Sequence, residues 1–147
     1  MSKIHIFGAT TLSGAALRKR LSQKNKNFEI INYSRNKQNY EKINLEKVDK
    51  FYFKRNKYKD SFIVSYAPIW IFSKFLEDFS INNPISFRKI NCIIICSSSS
   101  SVTKKYSYNR FDKSLSSKLL KSEDKIIKIA NYFKIPCIII QPTMIYG

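Results

Sequence analysis

Short apolar runs bounded by glycine, proline or serine alternate along this chain with stretches whose apolar residues recur at helical spacing. Lys3-Ile4-His5-Ile6-Phe7 reads as a strand that runs into Gly8-Ala9-Thr10-Thr11-Leu12-Ser13-Gly14. From Ser13 onward Ala15, Ala16, Leu17 and Leu21 mark a helix, with Lys24 near its end. Phe28 to Tyr33 predicts a second strand, and a polar stretch from Ser34 to Lys50 separates it from a weaker one around Phe51-Tyr52-Phe53. Phe62 to Tyr66 reads as a buried strand ended by Ala67-Pro68, followed by an aromatic helix from Trp70 to Phe79. Asn91 to Cys96 is another near-continuous apolar strand, and the serine run Ser97 to Ser101 follows it. Asp112 is the expected N-cap of a long helix reaching Phe133, on which Leu115, Leu119, Ile126, Ala130 and Phe133 share a face. Pro136 breaks the pattern, and Cys137 to Ile140 forms the last strand.

Strands apolar on both faces and alternating with helices predict a parallel sheet covered on both sides, an α/β fold of the doubly wound Rossmann-like type. At 147 residues, 44% of them hydrophobic, the chain has the length of one domain and the material for a core. No internal repeat or linker interrupts it. The longest apolar run, Phe62 to Phe72, is broken by Ser65 and Pro68, and the N-terminal apolar stretch is too short for a signal peptide. The expectation is a cytoplasmic protein without a membrane partner.

Charge changes the picture less than its size suggests. The net charge is +17, from 27 Lys and Arg against 10 Asp and Glu, a balance that suits nucleic acid. Yet 21 of the cations are Lys and only 6 are Arg, beside 22 Ile and 12 Asn. Arg is the side chain that reads phosphates and bases in fork geometry, whereas Lys, Ile and Asn together are what A/T-rich coding produces. The cations are spread along the chain without an aromatic-basic repeat, so nucleic acid is not the expected main partner. Cys92, Cys96 and Cys137 show no C-x-x-C spacing and His5 stands alone, which largely excludes a disulfide scaffold and a zinc module, and without a nucleophile-elbow motif one histidine argues for no Ser-His-Asp triad. The cysteines are expected reduced and packed, with no metal, and His5 has no assigned role. Trp70, Phe72, Phe75 and Phe79 are spaced as one helix face, either core or the surface of a homodimer.

Candidate chemistry begins at the first strand-to-helix junction, where backbone N–H groups face outward at the positive end of a helix dipole and make a phosphate site. Gly8 permits the tight turn and Gly14 permits close packing of the helix, while the middle glycine of G-x-x-G-x-x-G is Thr11 here. At the end of the second strand Asn32-Tyr33-Ser34-Arg35 offers no carboxylate to a ribose 2′-hydroxyl. Arg35 can pair with a 2′-phosphate, which favours NADP over NAD, or it is one more solvated cation.

Three segments in this order, Gly8 to Gly14, Ser97 to Ser101, and Gln141-Pro142-Thr143-Met144-Ile145-Tyr146-Gly147, resemble the extended short-chain dehydrogenase/reductases of the NAD(P)-dependent sugar-nucleotide epimerase/dehydratase group. That group usually reads G-A-T-G-x-x-G at the first turn and R-P-T-x-x-Y-G after the sixth strand. Ala67-Pro68 followed by Ile69-Trp70 looks like an atypical branch of it. The resemblance implies a Rossmann domain over residues 1–147 that lacks the group's C-terminal substrate-binding region.

It also implies site residues. The backbone around Gly8, Thr10, Thr11, Leu12 and Gly14 would hold a pyrophosphate, Arg35 the adenosine ribose, Ala67 and Pro68 the middle of the cofactor, and Pro142 and Thr143 would border the nicotinamide. A serine after the fifth strand, a tyrosine and a lysine four residues later carry the family's chemistry on a hydroxyl or carbonyl substrate such as a nucleotide-sugar. Ser99 matches the serine, with Ser98 and Ser101 as competitors, and Lys118 matches the lysine. Ser114 stands where the tyrosine belongs, and Tyr106 and Tyr108, near Lys104 and Lys105, are the alternative phenols. The expectation is an oxidoreductase or epimerase, with a non-catalytic dinucleotide-binding domain as the alternative.

Overall fold

A computed structural model describes residues 2–24, 27–35, 40–55, 58 and 60–142. The described residues form strands β1 (Ser2–Phe7), β2 (Phe28–Ser34), β3 (Glu41–Lys42), β4 (Ser61–Ser65), β5 (Ile90–Cys96) and β6 (Cys137–Ile140). They also form helices α1 (Leu12–Lys24), α2 (Lys50–Arg55), α3 (Ile69–Asn82), α4 (Pro84–Phe87), α5 (Ser100–Thr103) and α6 (Arg110–Tyr132). The strands make one parallel sheet in the order β3-β2-β1-β4-β5-β6. This is the Rossmann order, and its direction reverses between β1 and β4, where such sheets leave a crevice beyond the strand ends.

Because successive strand residues face opposite ways, each strand feeds two cores. On one face Ile63, Ile93 and Ile95 pack with Phe72, Phe75 and Phe79 of α3 and with Leu119 and Ile126 of α6. On the other face Ile4, Ile6 and Val64 meet Leu17 and Leu21 of α1. Phe72, Phe75 and Phe79 are each 1% exposed or less, so of the two readings of the aromatic stripe they take the core. Trp70 is half-buried at the start of α3.

Two local expectations are corrected. Phe51-Tyr52-Phe53 belongs to helix α2, not to a strand, because Asp49 starts a helical turn there. Its carboxylate accepts the Phe51 N–H at 3.0 Å and its carbonyl the Tyr52 N–H at 2.9 Å, while Phe53 stacks on Phe79. The third strand is instead Glu41–Lys42, whose register on Tyr33 and Ser34 continues the sheet. In α6 the N-cap is Asn109, whose side chain accepts the Phe111 N–H, and not Asp112. Asp112 lies in the first turn, bonded by Lys104 and Ser107.

Candidate functional site

The turn after β1 is built around two glycines that have no room for a side chain. Gly8 has φ +69°, and a Cβ there would lie 2.7 Å from the backbone of Tyr66 and Ala67. A Cβ on Gly14 would lie 2.3 Å from the Gly8 carbonyl oxygen. The turn is therefore pressed against the end of β4, and α1 against the turn.

Thr11, in place of the expected glycine, is the N-cap of α1. Its hydroxyl donates to the Gly8 carbonyl at 2.7 Å and accepts the Gly14 N–H at 3.1 Å. The cap uses one first-turn amide and leaves those of Leu12 and Ser13 without a helical carbonyl to bond. No acidic residue occupies this first turn, so its positive end is uncompensated. Thr11→Ala is expected to lower the unfolding free energy by about 1 kcal/mol, read by urea denaturation. A wild-type midpoint would show that the cap contributes nothing.

A cavity of about 540 Å³ opens beyond the ends of β1 and β4. Six of the sequence-predicted residues line it: Gly8, Thr10, Thr11, Arg35, Ala67 and Pro68. Gly14 is buried beneath the turn, and the Leu12 side chain, 61% exposed, lines a separate groove with Arg18 and Lys19. Thr143 lies outside the described residues, as do Met144 to Gly147.

The sequence reading missed one wall of the cavity. Ile43, Asn44, Leu45 and Glu46, in the loop after β3, line it together with Ala67, Pro68 and Ile71. The alternation of Ile43 and Leu45 inside a polar stretch was the signal. The Asn44 side chain accepts the Glu46 N–H at 3.1 Å and fixes that loop. A carboxylate, Glu46, thus shares the cavity with Arg35, although it does not come from the end of β2 where the sequence reading sought one.

Behind the cavity lies a buried polar chain. Tyr33 lines the cavity and stacks on Phe7 with ring centroids 4.4 Å apart, and its hydroxyl lies 2.8 Å from His5 Nδ1. His5 Nε2 lies 3.2 Å from the Ser61 hydroxyl, and the Tyr52 and Tyr58 hydroxyls bond each other. Burial first, then Lys3, lowers the His5 pKa to about 4, and burial raises that of Tyr33 above the ordinary phenol range. At neutral pH His5 is an uncharged strut.

The serine run is locked, not loose. Ser97 donates to Glu123, a 7%-exposed carboxylate on α6. The Gln141 amide donates to both Glu123 oxygens and to the Ser101 hydroxyl, each at 3.1 Å. Ser116 donates to the Ser101 carbonyl at 2.7 Å, and the Ser99 N–H donates to the Pro142 carbonyl at 3.3 Å. A carboxylate between Leu119 and Ile126 on the apolar stripe of α6 was the one sequence signal of this cluster.

Ser99, Lys118 and Pro142 are not among the described residues lining the cavity. The Lys118 ammonium lies 4.3 Å from the centre of the Trp70 ring, a cation–π contact that holds α6 to the start of α3. Ser114 is exposed one turn before it, and Tyr106 and Tyr108 are 82% and 102% exposed. Among the described residues no cluster of His, Cys, Asp and Glu can hold a metal ion, and no helix is long and apolar enough to cross a membrane.

No family model and no curated protein matches the sequence. Solved structures do match the fold. A dTDP-glucose 4,6-dehydratase from Bacillus anthracis in complex with NAD aligns with TM-score 0.72 at 13% identity, over 100% of this chain and 56% of that one. A short-chain dehydrogenase/reductase from Saccharomyces cerevisiae aligns with TM-score 0.73 at 11% identity, over 99% of this chain and 71% of that one. Gre2 from Candida albicans in complex with NADPH aligns with TM-score 0.70 at 16% identity, over 100% and 59%. The chain thus spans little more than half of the dehydratase and of Gre2. The fold is α/β and Rossmann-like, the fold these solved structures share. Its neighbours include extended members, the group that the three sequence motifs resemble.

Proposed function

We propose that the chain binds a nicotinamide dinucleotide across the crevice between β1 and β4. The observation that carries this reading is one cavity lined by the Gly8–Thr11 turn, Ala67-Pro68, Arg35 and Glu46 together. The Leu12 and Ser13 amides would take the pyrophosphate, Ile43 and Leu45 would pack on the adenine, and Arg35 would pair with a 2′-phosphate. Pro142 and Thr143 would border the nicotinamide. The bound cofactor would supply hydride transfer.

Titration with NADPH and NADH, followed by nicotinamide fluorescence, tests the reading. Saturable binding is expected, tighter for NADPH, and Arg35→Ala is expected to weaken NADPH about tenfold, or about 1.4 kcal/mol, and NADH much less. Tighter NADH would mean that Glu46 reads the ribose 2′-hydroxyl and would overturn the NADP preference. Binding of neither would reject the cofactor reading.

For catalysis the reading is an oxidoreductase or epimerase acting on a nucleotide-sugar or related carbonyl or hydroxyl substrate, with Ser99 bonding the reacting oxygen and Lys118 the ribose. Ser99 fits in one respect: its hydroxyl makes no hydrogen bond among the described residues, whereas those of Ser97, Ser98 and Ser101 are engaged. A second reading, a non-catalytic dinucleotide-binding domain, is supported by Lys118 resting on Trp70 and by the serine at position 114, whose hydroxyl is far less acidic than a phenol. Turnover with a nucleotide-sugar or carbonyl substrate would reject this second reading.

A further inference from the structure

The pairing of β5 with β6 ends at Cys96 and Ile140, where the Ser97 N–H donates to the Ile140 carbonyl at 2.7 Å. Past that point neither segment continues as a strand. Residues Ser100–Thr103 turn into α5, and Pro142 has no N–H with which to extend a ladder. A backbone bond still joins the two segments, from the Ser99 N–H to the Pro142 carbonyl at 3.3 Å. These are the residues that the proposed function sets at the reacting oxygen and at the nicotinamide.

Side chains take over where the ladder stops, and Glu123 is their hub. Reaching from α6, its carboxylate accepts the Ser97 hydroxyl, and both its oxygens accept the Gln141 amide at 3.1 Å. The same amide donates to the Ser101 hydroxyl at 3.1 Å, and the Ser101 carbonyl accepts Ser116 of α6. Residues on both sides of Ser99, and the residue before Pro142, are thereby tied together. The carboxylate is 7% exposed, and among the described residues no cation pairs with it. A buried charge without a counter-ion is costly unless its oxygens are hydrogen-bonded, and here the donors come from those two segments. Anchorage of α6 does not depend on it, because Leu119 one turn before and Ile126 one turn after are 4% and 1% exposed.

We propose that Glu123 is a positioning residue for the nicotinamide end of the cofactor site: by holding Ser97 and Gln141 on one carboxylate, it fixes Ser99 and Pro142 relative to each other. The proposal rests on the dinucleotide reading above. It adds that the two ends of the cofactor depend on different residues, with Glu123 serving one of them.

The test is calorimetric titration of the full chain with NADPH or NADH, whichever the wild type binds more tightly. A parallel titration uses the corresponding ADP-ribose, which keeps the adenosine half and lacks the nicotinamide. Glu123→Gln keeps the shape of the side chain but turns an N–H donor toward Ser97 or Gln141. It is expected to weaken the whole dinucleotide about tenfold and the ADP-ribose less than about twofold. A merely structural loss would weaken both alike. In the double variant Glu123→Gln, Gln141→Glu the carboxylate and the amide change places, and the Ser101 hydroxyl can reverse to donate. Dinucleotide affinity is expected to return to within about twofold of wild type. Amide hydrogen exchange gives a readout without any ligand. In Glu123→Gln the Ser99 amide is expected to exchange about tenfold faster while that of Ile94, paired on both sides within the sheet, is unchanged. Equal weakening of both ligands, no recovery in the double variant, or an unchanged Ser99 amide would each overturn the proposal. A wild-type chain that binds neither dinucleotide removes the cofactor reading and this proposal with it. A wild-type chain that binds, beside a Glu123→Gln variant that binds equally well, removes this proposal alone.

Discussion

Gly14→Ala is expected to lower the unfolding free energy by about 3 kcal/mol, the upper end of what overpacking usually costs, and to abolish saturable NADPH binding. The added methyl would lie 2.3 Å from the Gly8 carbonyl oxygen and 3.0 Å from the Ala9 Cα, both backbone atoms. Neither can rotate away as a flexible side chain would, so α1 must lift off the turn. Lifting it breaks the bond from the Gly14 N–H to the Thr11 hydroxyl and displaces the Leu12 and Ser13 amides, to which the proposed function assigns the pyrophosphate. Urea unfolding and a nicotinamide-fluorescence titration read the two consequences separately. A wild-type midpoint would mean that the helix shifts freely. Lost stability with intact binding would place the phosphate elsewhere than on α1.

Acid is expected to destabilise the protein by roughly 3 kcal/mol between about pH 6.5 and pH 4 through His5 alone. The folded state holds the His5 pKa near 4, first because the ring is buried and then because Lys3 is close, while the unfolded chain titrates near 6.5. In that window the unfolded state binds a proton that the folded state does not. Stability from this residue is therefore complete above about pH 6.5 and is lost as the pH falls to about 4. His5→Gln removes the titration and is expected to flatten that part of the profile of urea midpoint against pH. An unchanged slope in the variant would assign the acid sensitivity to other groups.

Much of the fold was legible because its signals are local. The turn glycines and the apolar runs of β1, β4 and β5 depend on backbone sterics and on burial on both faces, and these leave a mark at each position. The strand expected at Phe51 to Phe53 failed for the opposite reason. Aromatic residues suit either a strand or a helix face, and the choice rested on the Asp49 cap and on the packing of Phe53 against Phe79. The candidate site was half legible. Gly8, Thr10, Thr11, Arg35, Ala67 and Pro68 were found from motif and strand ends, and they meet at one cavity. Asn44 and Glu46 were missed because a two-residue strand carries almost no periodic signal.

The sequence by itself determined that the chain is an α/β domain with a parallel sheet and a glycine turn into its first helix, since hydrophobic period and φ preference act over a few residues. Only the tertiary structure decided that Thr11 caps α1, that the Glu46 carboxylate shares a cavity with Arg35, and that Lys118 rests on Trp70. It alone paired His5 with Tyr33 and Ser61 and buried Glu123 against Ser97 and Gln141. These are meetings of side chains far apart along the chain. Their energies depend on distance and desolvation in three dimensions, which the linear order of residues does not contain.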